Sequence, residues 1–396
     1  MREGTQLVWA GRHPEQHGGL VNTPICRGST ILAGSMQEWN DKKARHAKGD
    51  LLAGTYGRFG TPTHHALQEA IAQLEGGYRS LLYPSGLAAC ANVLLGLLSP
   101  GDHVLYTDSA YSPTRQVIQS TLQRFGVQAS PYDPSTGSDI ADHIQPTTRV
   151  VYVESPGSET FEIQDIPAIA KVAKAHGAWV VMDNTWATPL YFKPFEHGVD
   201  VSIQAATKYI TGHSDALLGV ATCTQQAWPL LAKAWEEFGQ TAGPDEAYLA
   251  LRGLRSLKSR LAQHFESGLR VANWLQSRPE VQAVLHPALP SHPDHALWKR
   301  DFRGASGLFA IALKPVAEPA LHRFIDNLSL FGLGLSWGGY ESLAVPFQAK
   351  RDCARWPFDG PGIRMHVGLE DPQDLIDDLE RAFSFMRAEN TRAMTA

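Results

Sequence analysis

Three short segments of the sequence carry residue types that could do chemistry. Tyr83-Pro84-Ser85-Gly86-Leu87 reads as the end of a strand, a tight turn and a helix start. A turn of small residues leaves the first N–H groups of the helix facing outward, ready for an anion such as a phosphate; a capped turn with no ligand gives the same pattern. Asp183 closes the apolar run Val180-Val181-Met182. A carboxylate there is costly to bury unless paired, so it either meets a cation, such as a protonated ring nitrogen, or caps the following turn. Lys208 sits in Ala205-Ala206-Thr207-Lys208-Tyr209, among small and apolar neighbours. Desolvation lowers a lysine pKa toward the range where the amine is a nucleophile, while a lysine that snorkels to solvent is the plainer alternative. Gly212-His213-Ser214-Asp215 follows, with polar side chains that could organise the loop. A phosphate cradle, an acidic partner for a pyridinium and an amine nucleophile, in order along the chain, are what a pyridoxal 5'-phosphate site requires.

Such residues need a scaffold that gathers strand ends. From about Thr61 the sequence alternates short apolar runs with amphipathic stretches. Helical spacing of Ala66, Ile71 and Leu74 predicts a helix over residues 63–75, ended by Gly76-Gly77. Residues 81–83, 103–107, 127–130, 149–154, 178–183, 199–204 and 217–223 read as strands, with helices over 86–98, 113–125 and 166–176. This alternation implies an α/β fold with a mostly parallel sheet between helices. Ligands of such sheets bind beyond the carboxyl ends of the strands, where Gly86, Asp183 and Lys208 all fall. A helical stretch around 245–276 leads to a smaller α+β region with strands at 308–313 and 363–367, and Pro287 to Pro293 reads as a linker or irregular surface segment. The last helix starts at Asp371 and Pro372 and buries a stripe of Leu375, Leu379 and Phe383. Residues 1–60 lack periodicity and are expected to form an arm lying on another part of the protein or on a partner subunit. The division is then an arm over 1–60, a cofactor domain over 61–255 and a C-terminal domain over 256–396.

Composition narrows the class. Of 396 residues, 19% are charged and 43% belong to the AVILMFWYC set, which excludes a disordered chain. A net charge of −5 without a basic stripe argues against nucleic acid as a partner. Apolar runs such as Ala91 to Leu98 fall short of the ~20 residues of a bilayer span. The first residues, Met1-Arg2-Glu3-Gly4-Thr5-Gln6, lack the apolar core of a signal peptide, so a cytoplasmic enzyme is expected. Cys26, Cys90, Cys223 and Cys353 form no Cys-x-x-Cys, and the pair His13 and His17 is interrupted by Pro14, so no metal site is expected.

The sequence resembles the Cys/Met-metabolism family of fold-type I pyridoxal phosphate enzymes, over nearly its whole length. The carriers are Tyr56-Gly57-Arg58, Ser85-Gly86, Ala110-Tyr111, Glu154-Ser155-Pro156-Gly157, Asp183-Asn184-Thr185-Trp186-Ala187 and the block from Ser202 to Tyr209. Gly212-His213-Ser214-Asp215, Ser336-Trp337-Gly338-Gly339-Tyr340-Glu341-Ser342 and the block from Arg364 to Asp371 complete them. The resemblance implies Lys208 as Schiff-base lysine and proton shuttle, Asp183 on the ring nitrogen and Tyr111 stacked on the ring. It implies Gly86, Leu87 and Thr207 on the phosphate, joined by Tyr56 and Arg58 from a neighbouring subunit. Tyr56 and Tyr111 would also assist proton transfer and face the substrate. Arg364 would grip the substrate α-carboxylate, a planar fork that lysine does not reproduce, with Ser336 and Trp337 lining the pocket. The family's usual assembly, a tetramer built from two dimers, is implied with it.

Within that family the sequence is similar to the bacterial cystathionine β-lyases. Ala205 stands where γ-acting members often carry serine, and Trp337 where many carry an aliphatic residue. The implied reaction releases homocysteine, pyruvate and ammonia from L-cystathionine, a step of trans-sulfuration and methionine biosynthesis, with cysteine or S-alkylcysteines as further thioether-class substrates. The alternatives are a γ-acting relative and a regulatory homologue without catalysis. Two departures bear on substrate range: Phe59 replaces a second arginine beside Arg58, and Arg115-Gln116 replaces an acidic residue expected to face the far end of cystathionine.

Overall fold

The computed structural model describes residues 1–353 and 356–395. Its centre is a seven-stranded sheet of β1 (Arg79–Tyr83), β2 (His103–Thr107), β3 (Gln128–Tyr132), β4 (Thr148–Glu154), β5 (Trp179–Asp183), β6 (Val201–Ala205) and β7 (Gly219–Cys223). The strand order is β1-β7-β6-β5-β4-β2-β3. Strands β3, β2, β4, β5 and β6 pair in parallel. The sequence reading placed residues 217–223 as one more member of that series; instead β7 runs antiparallel to both β1 and β6. The segment between β6 and β7 contains no helix that could carry a parallel crossover, so the chain turns back beside its own strand.

Helices cover both faces. Gly86–Leu97 and Trp228–Glu237 pack with Tyr83, Tyr106 and Tyr152 on one side; Ile166–Ala175 packs with Leu105, Val153 and Met182 on the other. The helix expected over 113–125 begins as an α-helix at Ser112–Gln116 and widens to π-type turns over Val117–Leu122. A second sheet joins β8 (Val281–Leu285), β9 (Leu308–Leu313), β10 (Leu343–Phe347) and β11 (Gly362–His366), all antiparallel, in the order β10-β11-β9-β8. Leu375, Leu379 and Phe383 of the last helix are fully buried against it.

The 33-residue helix Pro244–Gln276 runs past both sheets. Its Ala247, Leu254 and Leu261 belong to the core shared with the N-terminal part, and its Val271, Ala272 and Leu275 to the core of the small sheet. A Cβ on Gly253 would stand 2.2 Å from the Ile210 carbonyl oxygen, so glycine lets this helix touch the segment that follows Lys208. Buried Arg260 then donates to the carbonyls of Tyr209 at 2.8 Å and Ile210 at 3.4 Å. The helix thus fixes the lysine's own backbone.

One expectation changes. Residues 287–293 are irregular but not a surface linker, since Ala288, Leu289 and His292 are buried. Proline has no N–H to satisfy, which lowers the cost of burying irregular backbone. The arm contains helices at Glu3–Trp9 and Met36–Ala47. The first docks within the same chain, with Leu7 and Ala10 buried and both their carbonyls held by Arg255 Nη1, at 2.6 and 3.0 Å. The second buries none of its residues. Among the described residues, no helix is long and apolar enough to cross a membrane.

Arg260→Leu removes the donor from buried carbonyls without opening a large cavity. It is expected to lower the unfolding free energy by about 3 kcal/mol, read as a lower urea midpoint. An unchanged midpoint would mean that the lysine segment is held by other contacts.

Candidate active site

The carboxyl ends of β1, β4, β5 and β6 open into a cavity of about 260 Å³, closed from the small-sheet side by Leu308, Trp337 and Arg364. Eight of the residues singled out in the sequence line it: Gly86, Leu87, Tyr111, Asp183, Thr207, Lys208, Trp337 and Arg364. Ser336 stands beside it, its Oγ accepting from Lys208 Nζ at 3.0 Å. Tyr56 and Arg58 do not line it. The Tyr56 ring is 45% exposed, and Arg58 donates to the Glu236 carbonyl at 2.9 Å while its guanidinium lies 4.5 Å over the Phe59 ring.

Lys208 is lifted out of ordinary lysine behaviour by its surroundings. Its Nζ lies 5.1 Å from the centre of the Trp337 ring. Burial, reinforced by the charge of Arg364 and opposed by Asp183, pushes the amine down to about 8. Both readings of Asp183 are served at once by its two oxygens. Oδ1 caps the turn, accepting from Thr185 N at 3.0 Å and Thr185 Oγ1 at 2.5 Å. Oδ2 receives no hydrogen bond among the described residues, and burial raises this carboxyl above its usual range. Thr185 Oγ1 also accepts from Ala205 N at 2.8 Å, so one hydroxyl ties the end of β5 to the end of β6.

Arg364 is likewise without an anion. Its Nη2 donates to the carbonyls of Leu335 at 2.7 Å and Gly334 at 3.3 Å, and no carboxylate lies within ion-pair distance among the described residues. The cavity therefore exposes a half-desolvated amine, a carboxylate with one open oxygen and an open guanidinium. Three such groups, each partly buried in one space, cost stability unless a ligand pairs them.

Pyridoxal phosphate fits this set. Gly86 and Leu87 open their helix, so their N–H groups have no intrahelical partner, while Ser85 Oγ caps Ala88 N at 3.1 Å. A Cβ on Gly86 would stand 2.6 Å from the Ala205 Cβ, so glycine lets the start of this helix pack closely on the end of β6. The Thr207 hydroxyl, at the same end of the cavity, accepts from Leu218 N at 2.9 Å. Asp183 supplies the negative charge a protonated ring nitrogen calls for, and Lys208 the amine.

The sequence reading missed three residues. Glu154 accepts the Tyr111 N–H through Oε2 at 2.7 Å and so places Tyr111 at the cavity edge. It and Thr185 lay inside recognised motifs, but no spacing rule marks a carboxylate or hydroxyl that acts through a backbone N–H. Glu159, which also lines the cavity, belonged to no motif. One expectation is corrected: Arg115 does not face the far end of a substrate. Its guanidinium is turned into the protein, with Nη1 on Asp108 Oδ1 at 2.9 Å and Nη2 on the Lys350 carbonyl at 2.6 Å. Buried Asp108 draws it there.

With this geometry in hand, the likenesses to known proteins are specific. Residues 4–384 match the family described as Cys/Met metabolism PLP-dependent enzyme. Cystathionine beta-lyase MetC of Escherichia coli (strain K12) is 45% identical over 388 residues, covering 96% of this chain and 98% of its own. The L-alanine/L-glutamate racemase of Wolbachia pipientis wMel is 40% identical over 402 residues, covering 99% of both chains. The crystal structure of metB from Corynebacterium glutamicum superposes with a TM-score of 0.88 at 30% identity, covering 97% of this chain and 98% of that one.

Two outcomes follow from the geometry. Gly86→Ala is expected to weaken pyridoxal phosphate binding to the apoprotein at least tenfold, with partial recovery in the Gly86→Ala/Ala205→Gly double variant; equal affinity in all three would refute the cradle. If Lys208 is the amine that captures the cofactor, capture needs its neutral form, and the rate should rise with pH to a midpoint of about 8. Arg364→Met removes a repelling charge and should move that midpoint upward. A midpoint near 10 in the wild type would contradict the desolvation of Lys208.

Proposed function

This chain belongs to the Cys/Met-metabolism family of pyridoxal phosphate-dependent enzymes, and on that premise we propose that it is a carbon–sulfur β-lyase. Its substrate is L-cystathionine, and its products are homocysteine, pyruvate and ammonia, a trans-sulfuration step toward methionine. The observation that carries this reading is the grouping around one cavity of Lys208, Asp183 and Arg364, none of them in a salt bridge among the described residues. Ala205 and Ser336-Trp337, features of the β-acting group, lie at the same place, and the E. coli relative is named for this activity.

When bound, pyridoxal phosphate supplies an electron sink for the negative charge that develops at the substrate α-carbon. Gly86 N–H, Leu87 N–H and the Thr207 hydroxyl would hold its phosphate, Tyr111 would face its ring, and Asp183 would keep the proton on its ring nitrogen. Arg364 takes the substrate α-carboxylate in a two-pronged grip. The neutral amine of Lys208 removes the α-proton, a role suited to a group with a pKa of about 8. The carbon–sulfur bond then breaks with its electron pair on sulfur, and Lys208 Nζ delivers a proton to that sulfur. Hydrolysis of the remaining three-carbon fragment gives pyruvate and ammonia. Ser336 Oγ, 3.0 Å from Nζ, orients the amine between these two transfers.

Tyr56 and Arg58 complete the site of a neighbouring copy, Tyr56 next to the reacting groups and Arg58 on the phosphate. The working form is a homo-oligomer, a tetramer made of two such dimers. The free state of Cys26, Cys90, Cys223 and Cys353 suits a reducing compartment, the cytoplasm.

Product analysis tests the reading. L-Cystathionine is expected to yield pyruvate with homocysteine. A yield of 2-oxobutyrate with cysteine would assign γ-elimination, and conversion of L-alanine to its D-form without pyruvate from cystathionine would assign racemisation. Lys208→Ala should lose at least 10³-fold in kcat, the loss of a proton-transfer group; retained turnover would remove Lys208 from the mechanism.

A further inference from the structure

We infer that Glu159 is a specificity-determining residue, the receptor for the second ammonium group of a two-headed thioether. The inference rests on the reading that cystathionine is the substrate. That molecule carries an amino-acid head at each end: the reacting head engages Arg364, and the far head brings an ammonium into the same cavity. The sequence offered no acid for it, since Gln116 is exposed on its helix and Arg115 is turned toward Asp108.

Glu159 lines the cavity together with Arg364, Lys208 and Tyr111. Its backbone is held in the left-handed region, at φ 67°, a conformation that costs a side-chain-bearing residue about 1–2 kcal/mol. The turn is kept there by its neighbours. Ser158 N donates to the Ser109 carbonyl at 2.7 Å, Phe161 N to the Gly157 carbonyl at 3.0 Å, and the Phe161 side chain is buried.

The carboxylate itself has no hydrogen bond and no ion pair among the described residues. Three arginines lie close enough to influence it, Arg364, Arg351 and Arg115. Arg351 is committed to Glu162 at 3.2 Å and to the Thr160 hydroxyl, and Arg115 to Asp108. Arg364 faces the same cavity without closing on Glu159 to ion-pair distance. An open cation and an open anion thus share one space, a match for a ligand that bears both charges. Burial raises the Glu159 carboxyl above its usual range, the mark of an acid desolvated without a partner; an arriving ammonium would reverse that.

The test uses the holoenzyme and two substrates that share the reacting head, L-cystathionine and S-methyl-L-cysteine; only the first has a second ammonium. In Glu159→Gln, which keeps the shape and the turn, the ratio of kcat/KM for cystathionine to that for S-methylcysteine should fall at least tenfold, mainly through KM. Glu159→Asp, which restores the charge, should recover part of the ratio. An unchanged ratio in Glu159→Gln, or an equal loss on both substrates, overturns the inference while leaving the β-lyase reading intact. A wild-type enzyme that cleaves S-methylcysteine but leaves cystathionine untouched overturns the substrate reading and the inference with it.

Discussion

The structure depends on charges taken out of water before they have partners. Moving one ion fully into a protein interior costs several kcal/mol after relaxation, and this cavity holds a partly buried amine, guanidinium and carboxylates that bear a share of that cost. The rest of the fold can be read as what keeps them there. Five parallel strands bring Glu154, Asp183 and Lys208 to one edge. Thr185 ties two of the strand ends together, and the 33-residue helix grips the backbone after Lys208 through Gly253 and Arg260. The small sheet adds Arg364 from β11, where strand pairing on both sides fixes its position against Ala310 and Val345. Rigid elements carry the charged groups, so the site cannot easily relax by turning them to solvent.

This cost is what makes binding selective. A cofactor with a phosphate at one end and a protonated nitrogen at the other would relieve the open N–H groups of Gly86 and Leu87 and the carboxylate of Asp183 together. An amino-acid substrate would relieve Arg364, and Lys208 would remain an amine able to gain and lose a proton near neutral pH. Proton transfer and binding are thus divided among residues whose environments push their pKa values in opposite directions: Lys208 down, Asp183 and Glu159 up. Such divergence within one cavity is a frequent property of catalytic sites.

Much of this was legible in the sequence because it obeys local rules. Apolar runs and their punctuation located most strands to within two residues, and the Ser85-Gly86 turn, Asp183 and Lys208 each stand at the end of a strand. What was not legible depends on partners distant in the chain. The reversed direction of β7 is decided by the missing helix between residues 206 and 218. The burial of His292 depends on its approach to the distant Phe161, and the orientation of Arg115 on buried Asp108. Glu159 gave no signal at all, because a left-handed glutamate in a turn is recognisable only once Phe161 and Ser158 are seen to hold it. The arm is intermediate: its first helix docks on its own chain, while Leu20, Val21, Leu32, Met36 and Tyr56 stay exposed.

If the open charges are the receptor, removing one should stabilise the empty protein and weaken the ligand. The most direct measurement is therefore the urea midpoint of the cofactor-free Asp183→Asn variant, taken beside its affinity for pyridoxal phosphate. Asparagine keeps an oxygen for Thr185 but removes the buried charge. A higher midpoint than that of the wild-type apoprotein and at least a tenfold loss of affinity are expected. A lower midpoint with unchanged affinity would contradict it.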